Sequence, residues 1–308
     1  MHFVQAKSIL TAGLGAKGIN VYRGCTHGCI YCDSRSDCYR FTHAFEDIEV
    51  KQNAPELLET ALRGMRERCM IGTGAMCDPY MPLEEKLGLT RRCLEIIERY
   101  GFGAAVQTKS DRVLRDIDLL DRINRKAKAV VQITLTTADE RLCALVEPNV
   151  CGTARRAEAL YALRDRGIPT VVWMTPILPY INDTEENVRA LIEICVRAKV
   201  RGIITFGMGM TLRAGDREYY YAALDRHFPG LKERYAREYG NAYELESPNT
   251  PRLNAILQEA CERYHILYGP DACFQYLNEF PKSYEQLSMF SGTAASSRRC
   301  LKITLFPR

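Results

Sequence analysis

The sequence lacks the features that mark membrane-spanning, secreted and strongly polyanion-binding proteins. Its longest apolar run, about residues 171 to 181, contains Pro176 and Pro179 and is too short to cross a bilayer. The first residues show no basic-then-apolar signal pattern, and the net charge of only +4 neither requires nor excludes a nucleic-acid substrate. We therefore expect a cytoplasmic protein without membrane contact, whose thirteen cysteines are reduced thiols rather than a disulfide framework.

Strand-like and helix-like segments alternate along most of the 308 residues. Six segments have the composition of strands: about 18–22, 69–73, 103–108, 129–136, 170–174 and 202–206. Each is followed by a helical pattern, and the pattern after the second predicts one helix over about residues 83 to 100. This order predicts an α/β fold with a parallel sheet and right-handed crossovers. Periodicity alone fits an open doubly wound sheet and a barrel equally well, and in both of them ligands bind at the carboxyl ends of the strands.

The composition changes after about residue 228, where helical, tyrosine-rich sequence replaces the alternation. We expect residues 1–228 to form the core of the protein and residues 229–290 to form a helical C-terminal cap over it. The final stretch, residues 291–308, begins with small and polar residues and is predicted to be a flexible tail.

Cys25, Cys29 and Cys32 follow the first predicted strand with the spacing C-x3-C-x2-C. Three thiolates from one loop can hold three irons of a cubane cluster, whose sites otherwise take four cysteines. The fourth iron is then open to a small molecule, which makes it a reaction centre. The alternative is a structural zinc protein that adds Cys38 or His27 as a ligand. Structural zinc sites favour paired ligands from two separated segments, and the sequence has no second pair.

The cysteine spacing, with Tyr31 just before the third cysteine, resembles that of radical S-adenosylmethionine (SAM) enzymes. The resemblance implies a [4Fe–4S] cluster on Cys25, Cys29 and Cys32 whose open iron binds SAM. Reductive cleavage of SAM would then give a 5′-deoxyadenosyl radical that abstracts hydrogen from an unknown substrate. It also implies a partial (β/α)6 barrel with a helical C-terminal extension, Tyr31 near the adenine, and an electron donor such as flavodoxin or ferredoxin.

Residues 18 to 215 are similar, more narrowly, to the spore photoproduct lyase-like branch of that superfamily. The similarity lies in Tyr22–Cys25, Gly28–Cys32, Cys77–Tyr80 and Thr108–Ser110, and in the intervals between them. It implies a set of SAM-binding residues beside the cluster: Cys77 near SAM, Asp78 at the amino group, Lys109 at the carboxylate and Thr134 at the methionine portion. Taken without the resemblance, Asp78 fits a local cap equally well, and Thr134 fits a β-former of a half-buried strand equally well. Lys109 by itself fits a surface lysine better.

Two positions depart from the lyase itself. The lyase has a cysteine hydrogen-atom donor two residues before the position of Cys77, where this chain has Ala75, and a tyrosine where this chain has Asp33. We therefore expect a relative with another substrate rather than the DNA-repair enzyme, with Cys77 as a candidate catalytic hydrogen donor. A further alternative is a cluster-containing nucleic-acid-binding or repair-related protein, in which the tyrosine- and arginine-rich residues 216–243 stack bases instead of packing on the barrel.

Overall fold

The computed structural model describes residues 1–12 and 17–281. The strands of this part are β1 His2–Val4, β2 Leu10–Ala12, β3 Lys17–Ile19, β4 Tyr22–Arg23, β5 Glu49–Lys51, β6 Met70–Thr73, β7 Gly103–Thr108, β8 Ala129–Thr134, β9 Thr170–Trp173, β10 Gly202–Ile204, β11 Gly209–Thr211, β12 Glu244–Glu246 and β13 Leu267–Tyr268. Its α-helices are α1 Ala54–Gly64, α2 Glu84–Leu87, α3 Leu89–Tyr100, α4 Ile117–Lys126, α5 Glu140–Val146, α6 Thr153–Asp165, α7 Glu185–Ala198, α8 Asp216–His227, α9 Leu231–Tyr239, α10 Thr250–Tyr264 and α11 Gly269–Asn278.

An eight-stranded sheet forms the centre of the fold, in the order β13-β10-β9-β8-β7-β6-β3-β2. Neighbouring strands from β3 to β13 run parallel, and β2 pairs antiparallel with β3 at one edge. Helices connect successive parallel strands, as βα crossovers require. The predicted α/β fold, a partial barrel with a helical C-terminal region, is confirmed.

The central strands are buried on both faces, which accounts for their β-branched composition. In β8, Val131 and Ile133 belong to the large core that the connecting helices cover. Val130 belongs to a separate cluster on the other face, where Cys273 and Leu277 of α11 pack against the sheet. α11 therefore covers part of the face that is opposite to the connecting helices.

The first predicted strand, residues 18–22, is divided between two sheets. β3 joins the large sheet, whereas β4 pairs antiparallel with β5 in a small sheet of order β1-β5-β4. The chain changes sheets at residues 20 and 21, where the Val21 carbonyl accepts a hydrogen bond from Lys51 N–H at 3.1 Å. This change of direction aims the chain after Arg23 towards the strand ends.

The residues after 228 are connected to the sheet by strands as well as by helices. β12 pairs antiparallel with β11, β13 adds a parallel strand beside β10, and α10 packs against α7. The division at residue 228 stays a prediction, as does the cap as a unit. The end of the predicted cap, residues 282–290, and the predicted tail, residues 291–308, lie outside the described residues.

Across residues 1–12 and 17–281, every helix is too short or too polar to span a bilayer.

Candidate active site

The residues that the sequence predicts for the site all line one cavity at the carboxyl ends of the central strands. The cavity has a volume of about 690 Å³, which lies in the usual range for small-molecule sites. The predicted residues on its wall are Cys25, Cys29, Tyr31, Cys32, Cys77, Asp78, Lys109 and Thr134. The fold thus brings them together from four separate segments, and their individual roles stay predictions.

The cysteine loop, residues 24–32, is fixed by backbone hydrogen bonds to two parts of the core. Cys25 N–H donates to the Phe45 carbonyl at 3.2 Å, and Ile30 N–H donates to the Val146 carbonyl at 3.0 Å. Gly24 has a φ of +86°, and a Cβ added there would lie 2.3 Å from the Phe45 oxygen. A side chain at this position would therefore push the loop away from the segment that supports it.

Burial makes the three thiols hold their protons tightly in the metal-free chain. It raises the pKa of Cys25 to about 12, and the nearby Asp78 carboxylate adds to the effect. It also raises the pKa of Cys29 and the pKa of Cys32. Iron binds thiolates, so a metal bound here displaces these protons and supplies the positive charge that buried thiolates need.

The three cysteine sulfurs do not form a close site for one metal ion. Within residues 1–12 and 17–281, the one group of three possible ligands with atoms all within 4.8 Å of one another is His2, His43 and Glu49. A zinc ion needs its ligand atoms at about 2.0–2.3 Å from a single centre, whereas each thiolate of a cubane binds its own iron. Cys38, offered by the zinc alternative, accepts a hydrogen bond from Arg213 at 3.3 Å instead. The arrangement suits a cluster better than a single zinc ion.

The buried Asp78 carboxylate organises the two loops beside the cysteines. Its Oδ1 accepts hydrogen bonds from Tyr80 N–H at 2.8 Å and from the Thr108 hydroxyl at 2.7 Å. Its Oδ2 accepts from Lys109 N–H at 2.7 Å and lies 3.5 Å from His27 Nδ1. Asp78 therefore acts as a local cap, and a carboxylate with about four acceptor sites keeps at most limited capacity for a ligand.

Lys109 extends from the end of β7 towards a buried ionic network. Its Nζ lies 3.9 Å from Glu147 Oε1 and 5.6 Å from the centre of the Tyr31 ring. Glu147 is fully buried, forms an ion pair with the fully buried Arg156, and accepts a hydrogen bond from the Tyr31 hydroxyl. Arg156 also donates to the Thr134 carbonyl at 3.1 Å, so the network connects three of the predicted site residues.

Two cations share the single carboxylate of this network. Burial by itself would raise the pKa of Glu147, but Arg156 and Lys109 outweigh it and hold that pKa below its ordinary value. Glu147 is therefore ionised, and of these three charged groups Lys109 is the one that lines the cavity. Its ammonium can bind an anionic group such as a carboxylate, while Asp33, Asp78, Glu244 and Glu246 bring carboxylates to the same wall.

Cys77 and Thr134 both line the cavity, and both are buried. The Cys77 thiol is buried and donates to the Tyr22 carbonyl at 2.9 Å, and burial raises its pKa strongly. Thr134 is 2% exposed and ends β8 at the cavity. The Cys77 hydrogen is thus engaged by backbone in this conformation, and its use as a hydrogen donor stays a prediction.

Sequence reasoning missed Glu147 and Arg156, the pair that supports Lys109 and Tyr31. Both lie in the segment after strand β8, more than 100 residues from Tyr31, and each resembles an ordinary helix or loop residue in the sequence. It also missed Phe206, which lines the cavity with 62% of its surface exposed. The sequence offered one signal. Glu147 directly precedes Pro148, and a residue before proline disfavours the helical conformation, so Glu147 does not belong to a continuing surface helix.

The chain is similar in sequence to proteins from bacteria and archaea. An uncharacterized protein of Mycobacterium tuberculosis is 28% identical over 234 residues, which is 72% of this chain and 66% of its own length. An uncharacterized protein of Methanocaldococcus jannaschii is 31% identical over 170 residues, or 54% of this chain and 62% of its own length. The chain thus spans slightly less than two thirds of the length of these curated relatives.

Solved structures show the same fold. Spore photoproduct lyase with bound AdoMet and dinucleoside spore photoproduct has a TM-score of 0.62 and 15% identity, over 87% of this chain and 80% of the lyase chain. The family model described as the Radical SAM superfamily matches residues 19–193, which is more than half of the chain. This chain therefore belongs to the radical SAM superfamily, whose enzymes use a [4Fe–4S] cluster and SAM.

Proposed function

We propose that Cys25, Cys29 and Cys32 each bind one iron of a [4Fe–4S] cluster and that SAM occupies the fourth iron and the adjoining cavity. When bound, the two cofactors supply a 5′-deoxyadenosyl radical by reductive cleavage of SAM, and this radical abstracts hydrogen from the substrate. The observation that carries the proposal is that the three thiols and the Lys109 ammonium line one cavity.

Each further residue has a defined task in this proposal. The Lys109 ammonium binds the SAM carboxylate, while Glu147 keeps that ammonium close to the Tyr31 ring. The hydroxyl of Tyr31 is held by Glu147, so the ring keeps a fixed orientation beside the third cysteine. Thr134 lies at the end of β8, beside the expected methionine portion.

Asp78 has a more limited task than the sequence suggests. Three hydrogen bonds already engage its carboxylate, two of them with Thr108 and Lys109. We propose that it mainly sets the conformation of the turn from which Lys109 extends, and that the SAM amino group uses its remaining acceptor capacity. Loss of Asp78 would then disturb the carboxylate contact as much as the amino contact.

The direct experiment compares two cysteine variants after anaerobic reconstitution. We expect the unchanged chain to bind about four irons, as a [4Fe–4S] cluster requires, and to form 5′-deoxyadenosine from SAM with dithionite. Cys29→Ala should lose both properties, because a cubane held by two thiolates is poorly retained. Cys38→Ala is the matched control, since this exposed thiol is in the same region but does not line the cavity. SAM cleavage by Cys29→Ala at the unchanged rate would refute the proposal.

The tyrosine- and arginine-rich residues 216–243 bear on the nucleic-acid alternative. In the tyrosine-rich stretch, Tyr220 and Tyr235 are fully buried and pack together, with ring centres 5.5 Å apart. This packing favours a structural role for the stretch over base stacking. Tyr243 is 43% exposed at the cavity, so a nucleic-acid substrate stays a proposal that a binding assay at several salt concentrations tests. The flavodoxin or ferredoxin donor and the cytoplasmic location also stay predictions.

A further inference from the structure

A group of two histidines and a glutamate lies on the small sheet, away from the cavity. His2 of β1 is the direct neighbour of Glu49 of β5 in the parallel register. His43 lies in the loop that leads into β5. A ring nitrogen of each histidine and a carboxylate oxygen of Glu49 all lie within 4.8 Å of one another. Two imidazoles and a carboxylate are a ligand set that divalent transition ions favour.

Hydrogen bonds orient both imidazole rings for metal binding. His2 Nδ1 lies 3.1 Å from Asp47 Oδ2, and His43 Nδ1 lies 2.9 Å from the Ala44 carbonyl. Both partners are acceptors, so each Nδ1 carries a hydrogen, and in the neutral imidazole that binds metals each Nε2 has a lone pair. A carboxylate or carbonyl on the far nitrogen is the arrangement that typically supports a metal-binding histidine. The outer contacts of a metal site are thus already in place.

The Nε2 atom of His43 provides a second observation. It is buried from solvent and has no hydrogen-bond partner among the described residues. Glu49 Oε2 lies 4.0 Å away. Burying a lone pair without a donor is costly, and the cost disappears when the lone pair binds a cation. The site therefore has a vacant acceptor close to the carboxylate.

Nearby cations leave Glu49 available to a metal. The Arg23 guanidinium lies 3.8 Å from Glu49, but it is held by the carbonyls of Tyr39 and Arg40 at 2.7 and 3.3 Å. The amino group of Met1 pairs with Asp47 rather than with Glu49. Arg23 thus keeps its position through backbone contacts, and Glu49 has no closer ion-pair partner in the part of the chain that the structure describes.

We propose that His2, His43 and Glu49 bind a divalent transition ion, with zinc as the expected occupant and water in the remaining position. Small side-chain rotations suffice, because tetrahedral ligands at zinc–nitrogen distances lie about 3.3 Å apart. The ion would join β1 to β5 and to the loop before it. That loop carries the Phe45 carbonyl that accepts from Cys25 N–H, so the ion braces the support of the cysteine loop.

The site is independent of the proposed cluster, and the experiment separates the two. The full chain without an affinity tag is reconstituted with iron and sulfide, equilibrated with zinc, desalted and analysed for both metals. The same zinc binding is measured by calorimetry on a full-length Cys25→Ala, Cys29→Ala, Cys32→Ala variant. We expect about one zinc per chain in both proteins, in addition to iron in the first only, since one ion is bound by the three ligands.

Variants of the ligands decide the proposal. His43→Ala and Glu49→Gln should each weaken zinc binding at least tenfold, whereas His227→Ala, at an exposed histidine of α8, should bind zinc as the unchanged chain does. Circular dichroism and iron content show whether each variant is folded. Equal zinc affinity in folded His43→Ala and in the unchanged chain would overturn the proposal. So would loss of zinc binding in the triple cysteine variant alone.

Discussion

Lys109 and Arg156 both pair with the Glu147 carboxylate. Lys109 is the member of the trio that reaches the cavity, because Arg156 and Glu147 are fully buried. Of these three charges, a ligand in the cavity can therefore contact only the ammonium. How strongly the site binds a charged ligand therefore depends on which of the three charges that ligand can contact.

Replacing Lys109 by alanine should weaken SAM binding by roughly 10- to 100-fold, the value of one charge-assisted hydrogen bond of about 1.5–3 kcal/mol. Equilibrium dialysis of the reconstituted protein measures the change. Lys126→Ala provides the control, because that exposed lysine pairs with Glu98 on the outer helices and does not line the cavity. Iron content should stay unchanged in both variants. Equal SAM affinity in the two variants would contradict the role given to Lys109.

Glu147→Gln should destabilise the folded protein by roughly 3–5 kcal/mol, because it leaves the buried Arg156 without a counter-charge. Thermal unfolding, followed by circular dichroism, should show a melting temperature well below that of the unchanged chain. Glu158→Gln removes an exposed carboxylate that pairs with Arg155 and should change stability by less than about 1 kcal/mol. Similar melting temperatures in these two variants would show that the buried pair adds little.

Asp216 gives a prediction that depends on pH. It is 1% exposed, its Oδ2 has no hydrogen-bond partner among the described residues, and burial raises its pKa to about 6, with Asp33 adding to the shift. The folded state holds this proton more tightly than the unfolded state does. The contribution of Asp216 to stability is therefore present below pH 4 and is lost as the pH rises through about 6.

Asp216→Asn should remove the loss of stability at high pH, because an amide stays neutral. Its oxygen can still accept a hydrogen bond from Arg213 N–H. We expect the variant to be more stable than the unchanged chain at pH 8 by roughly 1–3 kcal/mol, with a difference that shrinks towards pH 4. Unfolding curves of both proteins across this range test it. A difference that is constant with pH would mean that the Asp216 pKa is ordinary.

At the scale of elements, the cysteine loop depends on a close approach between Gly24 and the Phe45 carbonyl. Gly24→Ala should reduce the retained iron several-fold, because the added Cβ meets that oxygen at 2.3 Å and shifts the loop. Gly230→Ala is matched in backbone conformation, with φ of +82°, and its Cβ would meet nothing within 4 Å. Both variants carry the cost of a left-handed alanine, about 1 kcal/mol. Equal iron retention in the two variants would show that the contact between a Cβ at position 24 and the Phe45 oxygen does not affect the cluster.

One predicted helix is divided in the structure by local contacts that the periodicity of the sequence does not reveal. The pattern predicts one helix over about residues 83 to 100, but Gly88 adopts a φ of +61° and ends α2 there. The Glu84 carboxylate then accepts hydrogen bonds from the N–H groups of Thr90 and Arg91, in the first turn of α3. The apolar spacing continues across the break, so the sequence suggests one helix. The break itself depends on one glycine and on the contact of the Glu84 side chain with the next helix.

The whole molecule was more predictable than its parts. Alternating segments were enough to predict a parallel sheet, and the rule that ligands bind at strand ends placed Cys25, Lys109 and Thr134 around one cavity. The choice of a partial barrel came from the resemblance and not from periodicity. The contacts of the Glu147–Arg156 ion pair could not be predicted from the sequence. The two residues meet each other and Tyr31 only when the chain is folded.

The central claim of this account is that three cysteines hold a cluster with one iron free for SAM. An anaerobic crystal structure with SAM tests it most directly. We expect four irons, three of them bound by Cys25, Cys29 and Cys32, with the SAM carboxylate on the fourth iron and within ion-pair distance of Lys109. A fourth protein ligand on the cluster, or a single zinc ion between the cysteines, would contradict it.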